Sequence, residues 1–348
     1  MALFAVDKPL GITSHDVVDA ARRRLGTRRV GHTGTLDPLA TGVLILASNS
    51  STKLVPFLSA EDKEYLAWVS FGATTETLDA EGPVTEEAPV RFSKKDLETT
   101  LPHFLSLTEQ VPPAYSAVKI GGVKAYEAAR KGESLHLTPR PVKYLEVTLL
   151  AFEPAPKTYR IGPSPNGWEI TPVKGRPAPG DAGTQVKGRP APGDAGTQVK
   201  GRPAPGDAGT QRGRLVQLPR ALGTYPTAVI RLVVGSGTYV RAFARDLGEL
   251  LGTKAFLSGL VRTRVGRVGL ERCVPLEKID PEHPLEETQA LSFPLVQLSH
   301  AEVKRVLEGV PLPIPAQGYV ALVDNRRQLI AIAEGDGFKL KIKRVFKK

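Results

Sequence analysis

One segment of this chain cannot belong to a packed core. The 13-residue unit Val-Lys-Gly-Arg-Pro-Ala-Pro-Gly-Asp-Ala-Gly-Thr-Gln occurs three times in tandem, without variation, from Val173 to Gln211. Each unit has three Gly and two Pro, and too few aliphatic side chains for a helix or strand to offset the entropy of ordering it. The unit is also shorter than solenoid repeats and lacks their hydrophobic stripe. We therefore predict a disordered surface insertion at 173–211, so the fold must be built from the other 309 residues.

The rest of the chain carries a basic surplus. The 348 residues include 47 Lys and Arg against 36 Asp and Glu, a net charge of +11, of which the three repeat units contribute +3. This surplus favours a polyanionic partner such as nucleic acid, although a basic protein without such a partner is the alternative. The single cysteine, Cys273, excludes an internal disulfide and any CxxC zinc or redox site. The N-terminus lacks a signal-peptide pattern, and no apolar run approaches the ~18 residues of a membrane helix, so a cytoplasmic location is expected.

Hydrophobic periodicity predicts both helices and strands. Thr13 and Ser14 can cap a helix over residues 15–25. The other predicted elements are helices at 94–105, 123–131 and 239–251 and strands at 63–71, 142–152 and 227–234. Because the elements alternate irregularly, without a repeating βαβ rhythm, the expected fold class is α+β around a mostly antiparallel central sheet.

The pattern changes near residue 280. The acidic, Pro-containing segment 280–284 is typical of a linker, and a capped helix at 299–309 and three short strand patterns follow it. We predict two domains, 1–280 and a small β-rich domain at 285–348. Six of the last ten residues are basic and none is acidic. This tail is either a nucleic-acid contact or a solvated terminus.

A glycine-rich loop is the main candidate for chemistry. The chain has no GxxxxGK[ST], HExxH or GxSxG motif and no metal-ligand spacing among its six His, so neither a metal nor a nucleotide cofactor is expected. The segment 31–42 reads Gly-His-Thr-Gly-Thr-Leu-Asp-Pro-Leu-Ala-Thr-Gly and precedes an apolar strand pattern. Its glycines allow close approach of a ligand, and Pro38 biases Asp37 away from helical dihedral angles. On these residues alone, Asp37 is either a catalytic carboxylate or part of an ordinary turn.

The segment 31–42 resembles the catalytic motif of the TruB family of tRNA pseudouridine-55 synthases. The chain also contains elements similar to six other motifs of the family, in the family's order. They are KPxGxTS at 8–14, the Tyr-bearing strand at 63–65, TxDxxG at 77–82, QxPPxxSAxK at 110–119, GTYxR at 237–241 and LxRT at 260–263. The similarity runs from residue 3 to about residue 270. The C-terminal domain resembles the family's PUA-type RNA-binding domain in its position in the chain and in its β-rich sequence pattern. The repeats at 173–211 have no counterpart in the family pattern.

The resemblance implies an activity. The family isomerises a uridine of the tRNA T loop, position 55, to pseudouridine without a cofactor: the N1–C1′ bond breaks, the uracil rotates and C5 is joined to C1′. By resemblance Asp37 is the catalytic carboxylate, Arg241 is its ion-pair partner, and Tyr65 stacks on the flipped uracil. The substrate-binding positions implied in the same way are His32, Tyr239, Leu260 and Lys8.

Alternatives stay open for individual residues. Arg241 could instead bind a phosphate, and Tyr65 and Leu260 could be ordinary core residues. The basic residues expected to contact tRNA phosphates without reading bases are Arg22–Arg24, Arg28, Arg29 and the C-terminal lysines.

Alternatives also stay open for the whole protein. One is a non-catalytic RNA-binding protein on the same scaffold, and another is a guide-RNA-dependent relative. The presence of Asp37, Tyr65 and Arg241 favours an enzyme, and the absence of long basic extensions favours the bacterial stand-alone type. We expect a monomer that acts on tRNA, needs no protein partner and does not contact a membrane.

Overall fold

Strands make up much of the described chain. The computed structural model describes residues 2–116, 119–120, 123–125, 137–153, 159–164, 167–172, 214–216 and 225–346. The insertion predicted at 173–211 lies outside these residues. The strands are β1 (Ala2–Lys8), β2 (Val30–His32), β3 (Ala40–Ser48), β4 (Lys63–Phe71), β5 (Ala73–Thr75), β6 (Val84–Glu87), β7 (Glu109–Gln110), β8 (Lys119–Ile120), β9 (Val123–Lys124), β10 (Arg140–Pro141), β11 (Tyr144–Glu153), β12 (Tyr159–Ser164), β13 (Gly167–Pro172), β14 (Arg214–Val216), β15 (Thr227–Val234), β16 (Ala255–Val265), β17 (Val268–Gly269), β18 (Val274–Pro275), β19 (Leu295–Gln297), β20 (Gln317–Val323), β21 (Leu329–Asp336) and β22 (Leu340–Val345).

The helices are short. They are α1 (Ser14–Arg24), α2 (Val55–Ala60), α3 (Lys94–Thr100), α4 (Val240–Leu250), α5 (Glu287–Ala290) and α6 (His300–Leu307), with 3-10 turns at Asn49–Leu54, Leu101–Ser106, Leu270–Arg272 and Leu276–Lys278. Among the residues that the structure describes, no helix is long and apolar enough to span a bilayer.

The helix predicted at 15–25 is confirmed as α1. Thr13 is its N-cap: the Thr13 hydroxyl accepts a hydrogen bond from the Asp16 N–H, and the Asp16 carboxylate accepts one from the Thr13 N–H in return. This reciprocal capping box satisfies two donors that a helix start otherwise leaves unpaired. The buried face of α1 includes Val17, Val18 and Ala21.

Two other helix predictions need correction. The helix predicted at 123–131 cannot begin there, because β9 pairs with β8 in a short hairpin, and residues 126–131 lie outside the described part. The helix predicted at 94–105 changes to a 3-10 turn after Thr100, where Pro102 has no N–H for a helical hydrogen bond.

The central sheet has the order β11-β15-β4-β16-β3-β1-β18, with β2 beside β3 and β17 beside β16. Its neighbouring strands are antiparallel except for the parallel pairs β16–β3 and β1–β18. The predicted α+β class with a mostly antiparallel sheet is therefore confirmed.

Helices α1 and α4 cover the same face of this sheet. Leu260 on β16 pairs with Ala40 on β3, and both belong to the apolar cluster that α4 covers. Since side chains alternate along a strand, Leu44 and Leu46 lie on that face too, and they pack against α1. The β2–β3 loop reaches both helices, because its Leu36 packs in the α4 cluster and bonds to the start of α1.

The C-terminal strands form a second sheet, β19-β20-β21-β22. The predicted helix α6 and the three predicted strands β20, β21 and β22 are confirmed, while β19, which precedes α6, was not predicted. An apolar cluster joins this sheet to the central one and includes Leu3, Val43, Ile45, Ala321, Leu329, Ile332 and Phe346. Directly after the predicted linker, the Leu285 N–H donates a hydrogen bond to the Leu3 carbonyl. The division into 1–280 and 285–348 stays a prediction, and its two parts share a core.

Candidate active site

Asp37 lies on a loop whose backbone is held on both sides of it. The Ser14 hydroxyl donates to the Leu36 carbonyl at 3.0 Å and accepts from the Leu36 N–H at 2.8 Å. The Gly11 N–H donates to the Pro38 carbonyl at 2.9 Å. Because these bonds use the backbone of the loop, the Asp37 carboxylate is free for other contacts, and 36% of its side chain is exposed.

Lys8 supports the same loop from inside the protein. It is fully buried, and its ammonium group donates to the Ala40 carbonyl at 2.7 Å and to the Pro9 carbonyl at 2.9 Å. Burial lowers the pKa of Lys8 to about 8, against the opposite effect of nearby carboxylates. The substrate contact implied for Lys8 stays a prediction, and the geometry favours a positioning role.

Arg262 holds the other end of the loop. Its buried guanidinium donates to the carbonyls of Val43 at 2.7 Å, Gly34 at 3.1 Å and Thr35 at 3.4 Å. No role was predicted for Arg262 from the sequence, although the residue lies two positions after Leu260 in the motif at 260–263. Burial of an arginine beside three carbonyls becomes visible only when the strands are assembled.

Gly42 allows the close approach of β3 and β16. Its φ is +101°, and a Cβ there would overlap the Arg262 carbonyl oxygen and lie 2.9 Å from the Arg262 backbone N and C. Gly42 pairs with Lys8 on β1 and with Arg262 on β16, so it lies between the two residues that hold the loop. The glycine is required here by both its dihedral angle and the lack of space.

Arg241 forms the ion pair expected with Asp37. The Arg241 Nε is 2.9 Å from Asp37 Oδ2 and 3.7 Å from Asp79 Oδ2, and only 9% of the Arg241 side chain is exposed. The two Nη groups donate to the carbonyls of Thr77 at 3.0 Å and Tyr115 at 2.9 Å. Four contacts thus fix one guanidinium, and this favours a carboxylate partner over a phosphate for Arg241.

Asp79 is a second carboxylate of this site that sequence analysis did not single out. Only 2% of the residue is exposed, and its carboxylate accepts hydrogen bonds from the Thr77 hydroxyl and the Glu81 N–H. Burial raises the pKa of Asp79, while these bonds and Arg241 act in the opposite direction. The signal that could have identified it is its place in the TxDxxG-like turn at 77–82.

Tyr65 and Leu260 lie side by side in the apolar floor of this region. Both are 7% exposed, and both belong to the cluster that contains Leu36, the residue before Asp37. Within the described ranges, no hydrogen bond is made by the Tyr65 hydroxyl. The two residues are thus core residues by packing, and they share their apolar cluster with Leu36 of the Asp37 loop.

His32 ends β2, five residues before Asp37. Its Nδ1 accepts a hydrogen bond from the Gly34 N–H at 3.3 Å, which assigns the ring proton of the neutral form to Nε2. Burial, with Arg262 as a weaker cause, lowers the pKa of His32. The side chain is therefore a neutral ring at pH 7.

We expect His32 to make the protein less stable in weak acid. Its pKa is lower in the folded than in the unfolded state, so the unfolded chain binds more protons and stability falls as pH drops below about 6.5. Melting temperatures measured at pH 7 and pH 5 should differ more for the wild type than for His32→Asn. The exposed-site variant His103→Asn should keep the wild-type difference; an unchanged difference in His32→Asn would contradict the expectation.

Tyr239 is the N-cap of α4, two residues before Arg241. It is half-buried, and burial raises the pKa of its hydroxyl. Its N–H donates to the Gln110 side-chain oxygen at 3.0 Å. The start of α4 therefore brings Tyr239 and Arg241 to the same end of the helix, next to the loop that carries Asp37.

The site combines a fixed carboxylate with an aromatic and apolar floor. Within the described segments, no group of three or more His, Cys, Asp or Glu side chains is placed to hold a metal ion. An ionised carboxylate in such a place can add to an electron-poor carbon or remove a proton beside one.

Comparison with known proteins identifies the family. The model of the TruB family pseudouridylate synthase N-terminal domain matches residues 22–165. A tRNA pseudouridine synthase B from Thermus thermophilus is 64% identical over 348 residues, which cover 100% of this chain and 99% of the relative. The chain belongs to the TruB family. A relative of the same description from Deinococcus radiodurans is 42% identical over 351 residues, covering 99% of this chain and all of the relative.

Solved structures with the same fold are more distant from this TruB-family chain in sequence. A chain of a Cbf5-Nop10-Gar1 complex is 20% identical with a TM-score of 0.61, and the match covers 99% of this chain and 85% of that one. A chain of an H/ACA RNP bound to a substrate RNA is 19% identical with a TM-score of 0.59, covering 100% and 85%. At this identity, the likeness supports the fold alone.

Proposed function

We propose that this TruB-family enzyme isomerises the T-loop uridine at position 55 of tRNA to pseudouridine, with Asp37 as its catalytic carboxylate. The reaction breaks the N1–C1′ bond, forms the C5–C1′ bond, removes the proton from C5 and returns one to N1, so the composition is unchanged. The observation that carries the proposal is the Asp37–Arg241 ion pair at 2.9 Å on a loop whose backbone is fixed independently of the carboxylate. The similarity to tRNA pseudouridine synthase B supports the substrate.

A single carboxylate is sufficient for this chemistry. Glycosidases need a second one to protonate a departing alkoxide. A leaving uracil spreads its negative charge over two conjugated carbonyls and stays in the site. Arg241 stays paired with the Asp37 carboxylate as the bond to the base breaks, and the step needs no metal or cofactor. Asp79, 3.7 Å from the Arg241 Nε, keeps the guanidinium oriented.

The other site residues bind the flipped nucleotide. A base in a folded T loop must be extruded, at a cost of a few kcal/mol. Tyr65 and Tyr239 supply aromatic faces for the uracil, and Leu260 closes the pocket beside Tyr65. His32, as a neutral ring, occupies or stabilises the space that the base vacates. Lys8 keeps the loop in place through the Ala40 carbonyl.

We expect Tyr65→Phe to bind tRNA normally and to turn it over slowly. The ring keeps its packing, but the hydroxyl that would lie near C5 and assist proton removal is lost, which should lower the single-turnover rate by about 10²–10⁴-fold. The matched control is Tyr225→Phe, which removes a hydroxyl bonded to Glu87 outside the site. Unchanged turnover in Tyr65→Phe would show that the hydroxyl takes no part in the reaction.

Fewer basic side chains are available for phosphate contacts than the sequence suggests. Arg22 bonds to Asp19, and Arg24 bonds to the Ile279 carbonyl. Some lysines of the C-terminal tail are paired as well: Lys341 with Asp336 and Lys343 with Glu334. The exposed arginines near α1 for which the described residues offer no partner are Arg23, Arg28 and Arg29. These three are our candidates for phosphate contacts.

Replacing Arg23, Arg28 and Arg29 together with Gln should weaken tRNA binding and its salt dependence. Three lost phosphate contacts reduce the slope of log K against log salt by about 2 to 3. Filter binding at several salt concentrations measures this slope. The matched double variant, Arg22→Gln with Arg24→Gln, removes partnered arginines and should change the slope by less than about 1. Equal changes in the two variants would refute the assignment.

The decisive experiment uses the protein alone. An unmodified tRNA transcript is incubated with the purified chain, and pseudouridine is mapped in the product; we expect it at position 55. We propose a monomer that acts in the cytoplasm without a protein partner, and product formed by the isolated chain would support the last of these three. Tight tRNA binding without product would favour the non-catalytic RNA-binding protein, and product only with an added guide RNA would favour the guide-dependent alternative.

A further inference from the structure

The start of α4 is held by a side chain from outside the helix. Tyr239, the N-cap of α4, makes no hydrogen bond from its side chain to the helix backbone. Its N–H is instead bonded to the side-chain oxygen of Gln110 at 3.0 Å. Gln110 is 4% exposed, so an unpaired polar atom there would lack a water partner and cost about 1–3 kcal/mol. This buried bond therefore constrains where α4 begins.

The nitrogen of the Gln110 side-chain amide is fixed as well. This Nε2 atom donates to the Tyr144 hydroxyl at 2.9 Å. Tyr144 is 4% exposed, and its ring lies against Phe104 at a centroid distance of 5.4 Å. Burial raises the pKa of its hydroxyl, which therefore stays protonated. The amide thus has its donor and acceptor ends assigned by neighbours in a packed core.

The chain after Gln110 lies along the first turns of α4. Arg245 donates to the Val111 carbonyl at 2.9 Å, and Arg241 donates to the Tyr115 carbonyl at 2.9 Å. Segment 110–115 and the start of α4 therefore fix each other. Arg241 also reaches Asp37, so a displacement of the helix start changes the ion pair of the catalytic carboxylate.

We propose that Gln110 is a positioning residue for pseudouridine formation. It holds the start of α4 so that Arg241 keeps its ion pair with Asp37 and Tyr239 keeps its place at the uracil pocket. Its effect passes through Arg241 and Tyr239, and it does not need to touch the substrate. This inference rests on the proposed function. A misplacement of about 1 Å at a distance from the reacting atoms can cost about 10²-fold in rate.

The test measures single-turnover rates and tRNA dissociation constants for Gln110→Leu. This variant keeps the volume of the side chain and removes both hydrogen bonds. We expect the rate to fall about 10–100-fold and the dissociation constant to change by less than about threefold. Tyr144→Phe removes only the acceptor for Nε2 and should slow the reaction about threefold to fivefold. The control is Phe104→Leu, which loosens the same core and should lower the melting temperature with the rate within about threefold of wild type.

A double-variant cycle separates positioning from general destabilisation. In an Arg241→Lys background the guanidinium that joins the helix start to Asp37 is already lost, so the further cost of Gln110→Leu should fall to less than about threefold, the part that passes through Tyr239. The same cost in both backgrounds, or a wild-type rate in Gln110→Leu, overturns the inference. If Gln110→Leu does not fold, Tyr144→Phe in the two backgrounds gives the same comparison. A wild-type protein that forms no pseudouridine in this assay overturns the proposed function and the inference with it.

Discussion

Asp37→Asn is expected to abolish pseudouridine formation while the protein stays folded and binds tRNA. The amide has the shape of the carboxylate but cannot act as an anionic nucleophile or base. The single-turnover rate should fall by about 10⁴-fold or more, which corresponds to about 5–6 kcal/mol of lost transition-state stabilisation. Pseudouridine mapping on a tRNA transcript at saturating enzyme measures this loss.

Folding should change little in Asp37→Asn because the loop is held by other groups. Ser14, Lys8 and Arg262 all bond to its backbone, and none of these bonds uses the Asp37 carboxylate. The ion pair with Arg241 is partly exposed and contributes modestly to stability. The matched control is Glu86→Gln, which breaks the surface pair with Lys254 and should keep full activity. Full activity in Asp37→Asn would overturn the role of this carboxylate.

Gly42→Ala is expected to be the most disruptive single-methyl change near the site. The new Cβ combines a positive φ, which costs about 1–2 kcal/mol, with overpacking against the Arg262 backbone, which costs about 1–3 kcal/mol. The total is a loss of about 2–5 kcal/mol in the free energy of unfolding. Molecules that still fold should react about 10²-fold more slowly, because Lys8 and Arg262 are displaced with the loop.

Gly26→Ala provides the control for backbone conformation alone. Gly26 also has a positive φ, +60°, but nothing lies within 4 Å of the position of its Cβ. We expect a loss of about 1 kcal/mol and normal activity. Chemical denaturation and single-turnover rates compare the two variants. If Gly42→Ala were no less stable than Gly26→Ala, the close approach of β3 and β16 would not be the constraint that we infer.

The sequence was most informative where short-range patterns decide the structure. The capping residues before α1 predicted its start correctly, because their hydrogen bonds join neighbours in the chain. The alternation at 63–71 predicted the extent of β4 correctly, although the strands that pair with it are distant in the sequence. The prediction at 123–131 was wrong at its start, where the strand pairing of β8 and β9 overrode a helical spacing of apolar residues. Asp37 itself was ambiguous in sequence until the motifs around it were considered together.

The supporting residues could not be predicted because their roles depend on distant partners. Arg262 lies more than 200 positions from the loop that it holds, and Gln110 lies more than 100 positions from Tyr239. Nothing in the local sequence of either residue indicates a carbonyl or an N–H that another strand or helix will supply.

The sequence by itself determined the family and the fold class, because these follow from ordered motifs and local periodicity, and the same motifs supplied the candidates for the reacting groups. Only the tertiary structure decided how those groups are held. It buried Lys8 and Arg262 against the carbonyls of one loop, placed Asp79 beside Arg241 and left Arg23, Arg28 and Arg29 exposed. The physical reason is that burial and hydrogen-bond pairing are properties of assembled elements, and they decide whether a charged side chain positions the site, reacts or meets the substrate.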